Sequence, residues 1–314
     1  MQYYFAPMEG ITDHIYRSLH QQYFPSVSRY YTPFFSATQQ RILTAKQERE
    51  LPFRQHIDYT LVPQVLTKDA QGFLWFAEQC AERGYTQLDL NLGCPSGTVT
   101  AKGKGAGFLR EPDALDCFLD SVFYRSPVEI SIKTRIGYQD SEQWPRLLEI
   151  YNRYPVKELS VHPRVRAAFY NGEVDMEAFA YAYRNSKAPL CYNGNLCSGE
   201  AVEKIGEVYP DLAAVMLGRG LVADPGMLTP GGTDVKVLEA FVNALLDAYI
   251  EAFGSAKNAM FRMKENWFYL LCHFEDGEKL GKRLRKTTDI SEYRDITRKI
   301  FETLPFAQIL QPKW

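Results

Sequence analysis

A chain of 314 residues with 46% apolar side chains can fill a sizeable core, and its length suits one domain of about 200 to 250 residues with a smaller one beside it. A net charge of −2 does not announce nucleic acid by bulk charge, and with no apolar run of about 18 residues a membrane-spanning helix is excluded. Six cysteines with no Cys-x-x-Cys pair argue against a disulfide framework and against zinc, so no metal is expected.

The amino terminus, MQYYFAPMEG, lacks the order of an export signal, and a soluble, cytoplasmic protein with reduced thiols is expected. Short β-rich runs then recur along the chain: YYFAPM (3–8), VSRYYTPFF (27–35), YTLVPQVL (59–66), QLDLNLG (87–93), VEISIKTRI (128–136), ELSVHPR (158–164), PLCYNG (189–194) and AAVMLGR (213–219). Between several of them lie stretches with apolar residues at helical spacing, such as GFLWFAEQCAERG and PDALDCFLDSVFY. Eight strands alternating with helices predict an α/β fold, a parallel (β/α)8 TIM barrel over 1–234, with a doubly wound open sheet as the alternative. After PGGT the pattern becomes wholly helical, and 235–314 is predicted to be a smaller all-helical domain.

Charge follows the same division. Residues 1–234 carry 23 Lys and Arg against 27 Asp and Glu, whereas residues 235–314 carry 13 against 11. Five of those bases fall in KLGKRLRK, namely Lys279, Lys282, Arg283, Arg285 and Lys286, which suits either a solvated helix face or a phosphate-binding patch.

A barrel gathers its chemistry at the carboxyl ends of its strands. Gln64, Asn91, Lys133, His162, Asn193 and Arg219 all fall at or just inside such ends. The YNGN and LGRG motifs add glycines at two adjacent strand ends, where backbone N–H groups and Arg219 could take a phosphate, although each glycine pair alone also suits a tight turn. Lys133 needs a partner near the barrel mouth, either a carboxylate or the electron-rich carbonyl of a cofactor. His162 suits a core position equally well, and Gln64 could meet a flavin-like ring edge as donor and acceptor. Cys94, between Gly93 and Pro95, is the one cysteine that stands in a loop of glycine and proline; the others sit in apolar or helical surroundings.

Together FAPMEGIT (5–12), LDLNLGCPSGTVTAKGKGAGFL (88–109), IKTRIG, SVHPR, YNGN and AVMLGRG resemble, in order and spacing, the flavin-dependent tRNA-dihydrouridine synthases of bacterial type. The likeness runs from about residue 5 to 225, and FRMKENWF (261–268) is similar to that family's carboxyl-domain element. It implies an FMN over the barrel mouth, lined by Pro7, Met8 and Glu9. Gln64, Lys133 and His162 would contact the flavin, and Asn193, Gly194, Asn195, Gly218 and Arg219 its phosphate end. Asn91 and Arg164 would hold a uracil, whose C5–C6 double bond is reduced within tRNA at the expense of NADPH. The helical domain, through Lys282, Arg283, Arg285 and Lys286, would grip the RNA, and a monomer is expected.

The chain departs from the family pattern in three places. HPRV (162–165) stands where His-Gly-Arg-Thr is common, Asn195 replaces a common acidic residue, and Gly97 stands where a lysine is frequent. The chemistry implied by the resemblance gives Cys94 a task. Hydride addition at uracil C6 builds negative charge toward C5, and a thiol that is mostly protonated at neutral pH can supply the proton as a general acid. A flavin barrel acting on a free pyrimidine, of dihydroorotate dehydrogenase type, is the alternative within enzymes. A non-catalytic RNA-binding barrel is the alternative outside them.

Overall fold

The structure is a computed structural model that describes residues 1–36 and 41–307. All eight β-rich runs form strands, each shorter than its apolar pattern. They are β1 (Gln2–Phe5), β2 (Arg29–Tyr31), β3 (Leu61–Val62), β4 (Gln64–Val65), β5 (Gln87–Leu92), β6 (Glu129–Arg135), β7 (Leu159–His162), β8 (Leu190–Tyr192) and β9 (Ala214–Leu217). The run 59–66 supplies two segments because Pro63, which has no N–H to give a ladder, interrupts it.

That interruption is also where the barrel closes. The strand order is β3-β2-β1-β9-β8-β7-β6-β5-β4, and the ladders between these strands are parallel. The first and last segments are one stretch of chain, so the sheet returns on itself as an eight-stranded parallel barrel rather than an open doubly wound sheet. Helices that follow the strands start from recognisable signals, as at Asp69, whose carboxylate accepts from Gln71 and Gly72 N–H to cap Ala70–Glu82, and at Pro112 in the first turn of Pro112–Phe123.

Two compact units result. The first comprises Met1–Pro7, Arg29–Asn195 and Gly206–Met216, and holds most of the barrel. Its register sets two rows of side chains across the strands: Gln64, Asp89 and Ser131 in one, and Asn91, Lys133, Ser160, Cys191 and Ala214 in the next. Cys191 and Ala214 belong to a buried cluster with Tyr4, Tyr31 and Met216, so this second row lies on the core side of the sheet. Beneath it the Tyr4 hydroxyl donates to Glu158 at 2.7 Å, which gives a buried carboxylate its partner.

The second unit comprises Met8–Ser28, Leu196–Ile205 and the chain from Leu217 onward. Its helices include His14–Tyr23, Val235–Phe253, Ala256–Leu270, Glu278–Lys286 and Ile290–Thr303. Gly254, left-handed at φ 58°, ends one helix and the Ser255 hydroxyl caps the next, so a two-residue signal turns the chain. The first helix packs here through aromatic rings. Tyr16, His20 and Phe24 stand with ring centroids 5.6, 6.3 and 5.3 Å from that of Phe241.

Candidate active site

Cys94 follows β5 in a loop whose geometry is set by one amide. Asn91 Oδ1 accepts from the N–H of Gly93 at 3.0 Å and of Cys94 at 2.9 Å. Its Nδ2 donates to Gln64 Oε1 at 2.7 Å, and Gln64 Nε2 donates in turn to Asp89 Oδ2 at 2.7 Å. Arg135 Nε, from the adjacent strand, donates to the Gly93 carbonyl at 2.9 Å, and Arg166 Nε reaches the Pro95 carbonyl at 3.1 Å. Side chains from three neighbouring stretches thus fix a loop that would otherwise move, and leave the Cys94 residue half-buried.

Lys133 lies beside Asn91 in the ladder and is half-buried. Its Nζ has no hydrogen-bond partner among the described residues, while the Asp89 carboxylate attracts its charge. Burial, followed by repulsion from Arg135, brings its pKa down to about 8, against the pull of Asp89. A half-buried ammonium without a hydrogen bond, on the core side of a barrel, suits a ligand with an electron-rich carbonyl or an anionic ring. This is the feature that a flavin fits.

His162, the last residue of β7, lies 3.1 Å from Arg164 Nη1 through its Nε2. Arg164 is only 2% exposed, and its guanidinium also donates to Asn195 Oδ1 at 3.3 Å and the Gly172 carbonyl at 2.5 Å. Arg164 is therefore engaged on several sides as it stands. Gln64 is fully buried between Asp89 and Asn91, while Asn193, just past β8, uses its Nδ2 to bridge to the Met216 carbonyl at 2.7 Å.

The glycine motifs have packing reasons of their own. A Cβ on Gly194 would stand 2.3 Å from the Tyr192 hydroxyl, and one on Gly220 would stand 2.1 Å from the Leu196 carbonyl. Arg219, predicted at a strand end, is instead the first residue of the short helix Arg219–Ala223, with Gly218 as its cap residue. Pro7 ends the first segment of the barrel unit, whereas Met8 and Glu9 begin the second unit, in a turn where Ile11 and Thr12 N–H both bond the Met8 carbonyl at 3.0 Å. In that unit Arg262, from FRMKENWF, donates to the Gly10 carbonyl, and Lys264 from the same motif donates to the Arg285 and Thr287 carbonyls. The second interaction fastens the carboxyl end of Glu278–Lys286, where a cation is favoured.

On that helix Lys279, Lys282, Arg283, Arg285 and Lys286 are exposed, and Leu284 and Gly281 form the buried side. Arg283 is paired with Glu292 at 3.1 Å. Among the described residues no group of three or more His, Cys, Asp or Glu is placed to hold a metal, and no helix is long and apolar enough to cross a membrane. The site also uses residues that sequence patterning does not single out, among them Asp89, Arg135 and Arg166. Asp89 stands two before Asn91 in LDLN, hence on the same side of a strand, and that spacing is its one available signal.

Comparison with known proteins places the chain in a family. The family model described as dihydrouridine synthase (Dus) matches residues 4–266. The tRNA-dihydrouridine synthase B of Pasteurella multocida is 26% identical over 223 residues, which cover 71% of this chain and 66% of that protein, slightly under two thirds of its length. The tRNA-dihydrouridine(16) synthase of Shigella flexneri is 25% identical over 300 residues, 91% of this chain and 94% of that protein. A crystal structure of TcOYE with pHBA aligns with a TM-score of 0.50 at 10% identity, over 76% of this chain and 89% of that one, a likeness of fold alone. With a model match that takes in the second half of β1, every later strand, the Cys94 loop and the FRMKEN segment, the chain belongs to the dihydrouridine synthase family.

Proposed function

We propose that this protein reduces the C5–C6 double bond of particular uridines in tRNA, with FMN as its bound flavin and NADPH as reductant. The observation that carries the reading is Cys94: a thiol held in place by Asn91, Arg135 and Arg166 beside the unbonded Lys133 ammonium. FMN, when bound, would supply the hydride to uracil C6.

The chain's own residues do the rest. Lys133 and His162 would hold the flavin, with Gln64, whose amide is committed to Asn91 and Asp89, behind them; Pro7, Met8 and Glu9 would line it; Asn193, Gly194, Asn195, Gly218 and Arg219 would take its phosphate end. As charge builds toward C5, the Cys94 S–H bond breaks and its proton forms the new C–H bond at C5. The thiolate left behind is stabilised by Lys133 and regains a proton from solvent. Asn91 and Arg164 would frame the uracil, Arg164 after trading its bond to Asn195 or Gly172. The exposed bases Lys282, Arg283, Arg285 and Lys286, on the helix Glu278–Lys286, would meet RNA phosphates. The enzyme would act as a cytoplasmic monomer.

The test is a pair of half-reactions on the purified protein. Flavin absorbance should be present, NADPH should bleach it, and unmodified tRNA should restore it, with dihydrouridine found in the product by mass spectrometry. Recovery of colour with a free pyrimidine and not with tRNA would instead favour the small-molecule oxidoreductase, and a colourless protein would end the redox reading.

A further inference from the structure

We propose that Asp89 is a positioning residue: a buried carboxylate that fixes which way two amides point, and through them holds Cys94 in register. The inference rests on the proposed role of Cys94 only for its consequence in turnover; the alignment itself stands on the hydrogen bonds.

Both ends of one hydrogen-bonded chain constrain the amides between them. At the loop, the N–H groups of Gly93 and Cys94 can only donate, so Asn91 must turn its Oδ1 to them. Its Nδ2 then faces Gln64, which must present Oε1, and Gln64 Nε2 is left needing an acceptor. That acceptor is Asp89, which is fully buried and also receives the Ser131 hydroxyl at 2.7 Å. An ionised carboxylate has no donor, so it is compatible with one orientation of Gln64 and hence one of Asn91. Burial pushes the Asp89 carboxyl up to about 6, while its bonds from Gln64 and Ser131 and the Lys133 charge work against this, so the acceptor-only form prevails at neutral pH. Had either amide been reversed, two donors or two acceptors would meet in a buried site, and such a mismatch costs more than a missing bond.

A charge swap tests this on the full chain at pH 8. In Asn91→Asp the new carboxylate faces Gln64 Oε1, and Gln64 cannot satisfy two carboxylates at once. In the double variant Asp89→Asn with Asn91→Asp the whole chain can reverse: Gln64 donates to residue 91, residue 89 donates to Gln64, and Ser131 still donates to residue 89. We expect amide hydrogen exchange at Gly93 and Cys94 to quicken by about tenfold or more in Asn91→Asp and to return most of the way in the double variant, a coupling typical of residues that touch. Should Asn91→Asp fail to fold, recovery of soluble, cooperatively melting protein in the double variant carries the same information. A double variant no better than Asn91→Asp, in exchange and in melting, overturns the inference. Neither readout needs flavin or tRNA. If the double variant restores exchange while Asn91→Asp reoxidises with tRNA at the wild-type rate, the relay stands and the role assigned to Cys94 falls.

Discussion

Gly105 passes so close to Cys94 that a Cβ at position 105 would stand 2.9 Å from the Cys94 carbonyl oxygen and 3.0 Å from its Cβ, and its φ of 55° is one that other side chains rarely adopt. Ala106 N–H bonds that same carbonyl at 3.1 Å, so the returning arm of the loop is pressed against the thiol's own residue. Gly105→Ala should displace Cys94, at a cost of about 1 to 3 kcal/mol in stability from the backbone conformation alone. Reoxidation by tRNA should slow while flavin content holds; an unchanged rate would show that the loop can yield without moving the thiol.

Cys94→Ala removes the proposed proton donor and leaves the side chains of the other strands in place. NADPH should bleach the flavin at close to the wild-type rate, whereas reoxidation by tRNA should slow by about 10²- to 10⁴-fold, the usual worth of a placed general acid. Stopped-flow absorbance separates the two. Normal dihydrouridine formation in this variant would make Cys94 a packing residue.

Lys133 gives the site a pH dependence with a definite sign. Its folded pKa of about 8 lies below the usual lysine value, so the ammonium is present at pH 7 and is lost as pH rises through about 8. FMN affinity, followed by fluorescence titration, should therefore weaken between about pH 7.5 and 9, on either side of that value. Lys133→Met should bind more weakly throughout and show no such fall. A wild-type affinity flat across that window would place the lysine away from the flavin.

The basic helix can be probed through salt. Arg283 is already paired with Glu292, so Lys282, Arg285 and Lys286 are the better candidates for binding phosphates. Replacing Lys282, Arg283, Arg285 and Lys286 by Gln should shallow the dependence of tRNA affinity on salt, at about 0.7 to 0.9 of slope for each phosphate no longer neutralised. Flavin content should stay normal. An unaltered slope would make this helix face a solvated surface.

The barrel was legible because its strands carry apolar and β-branched runs at a steady beat, and Gln64, Asn91 and Lys133 stood out as polar residues within them. What they touch was less so. Gln64 and Asn91 stand 27 residues apart in the chain and meet only through the pairing of β4 with β5, and Asp89 gains meaning only when both are beside it. Arg219 fell past its strand because the ladder of β9 stops at Leu217. A run of apolar residues signals burial, whereas the end of a ladder depends on where the neighbouring strand leaves. The glycines at 194 and 220 suit anion binding by their motifs, yet a tyrosine ring and a passing carbonyl already require them, which no local pattern announces.

Assembly of each unit from three separate segments means that the chain passes from one to the other five times. No single cut releases either of them whole. A protein ended at residue 234 would lack Phe241 and with it the ring partner of Tyr16, His20 and Phe24, baring an aromatic patch on the piece that remains. Under the proposed function, exchanging the carboxyl-terminal helices as a cassette would therefore strip the opening helix of its ring partner, so a new RNA preference would call for matched substitutions in the opening and closing helices.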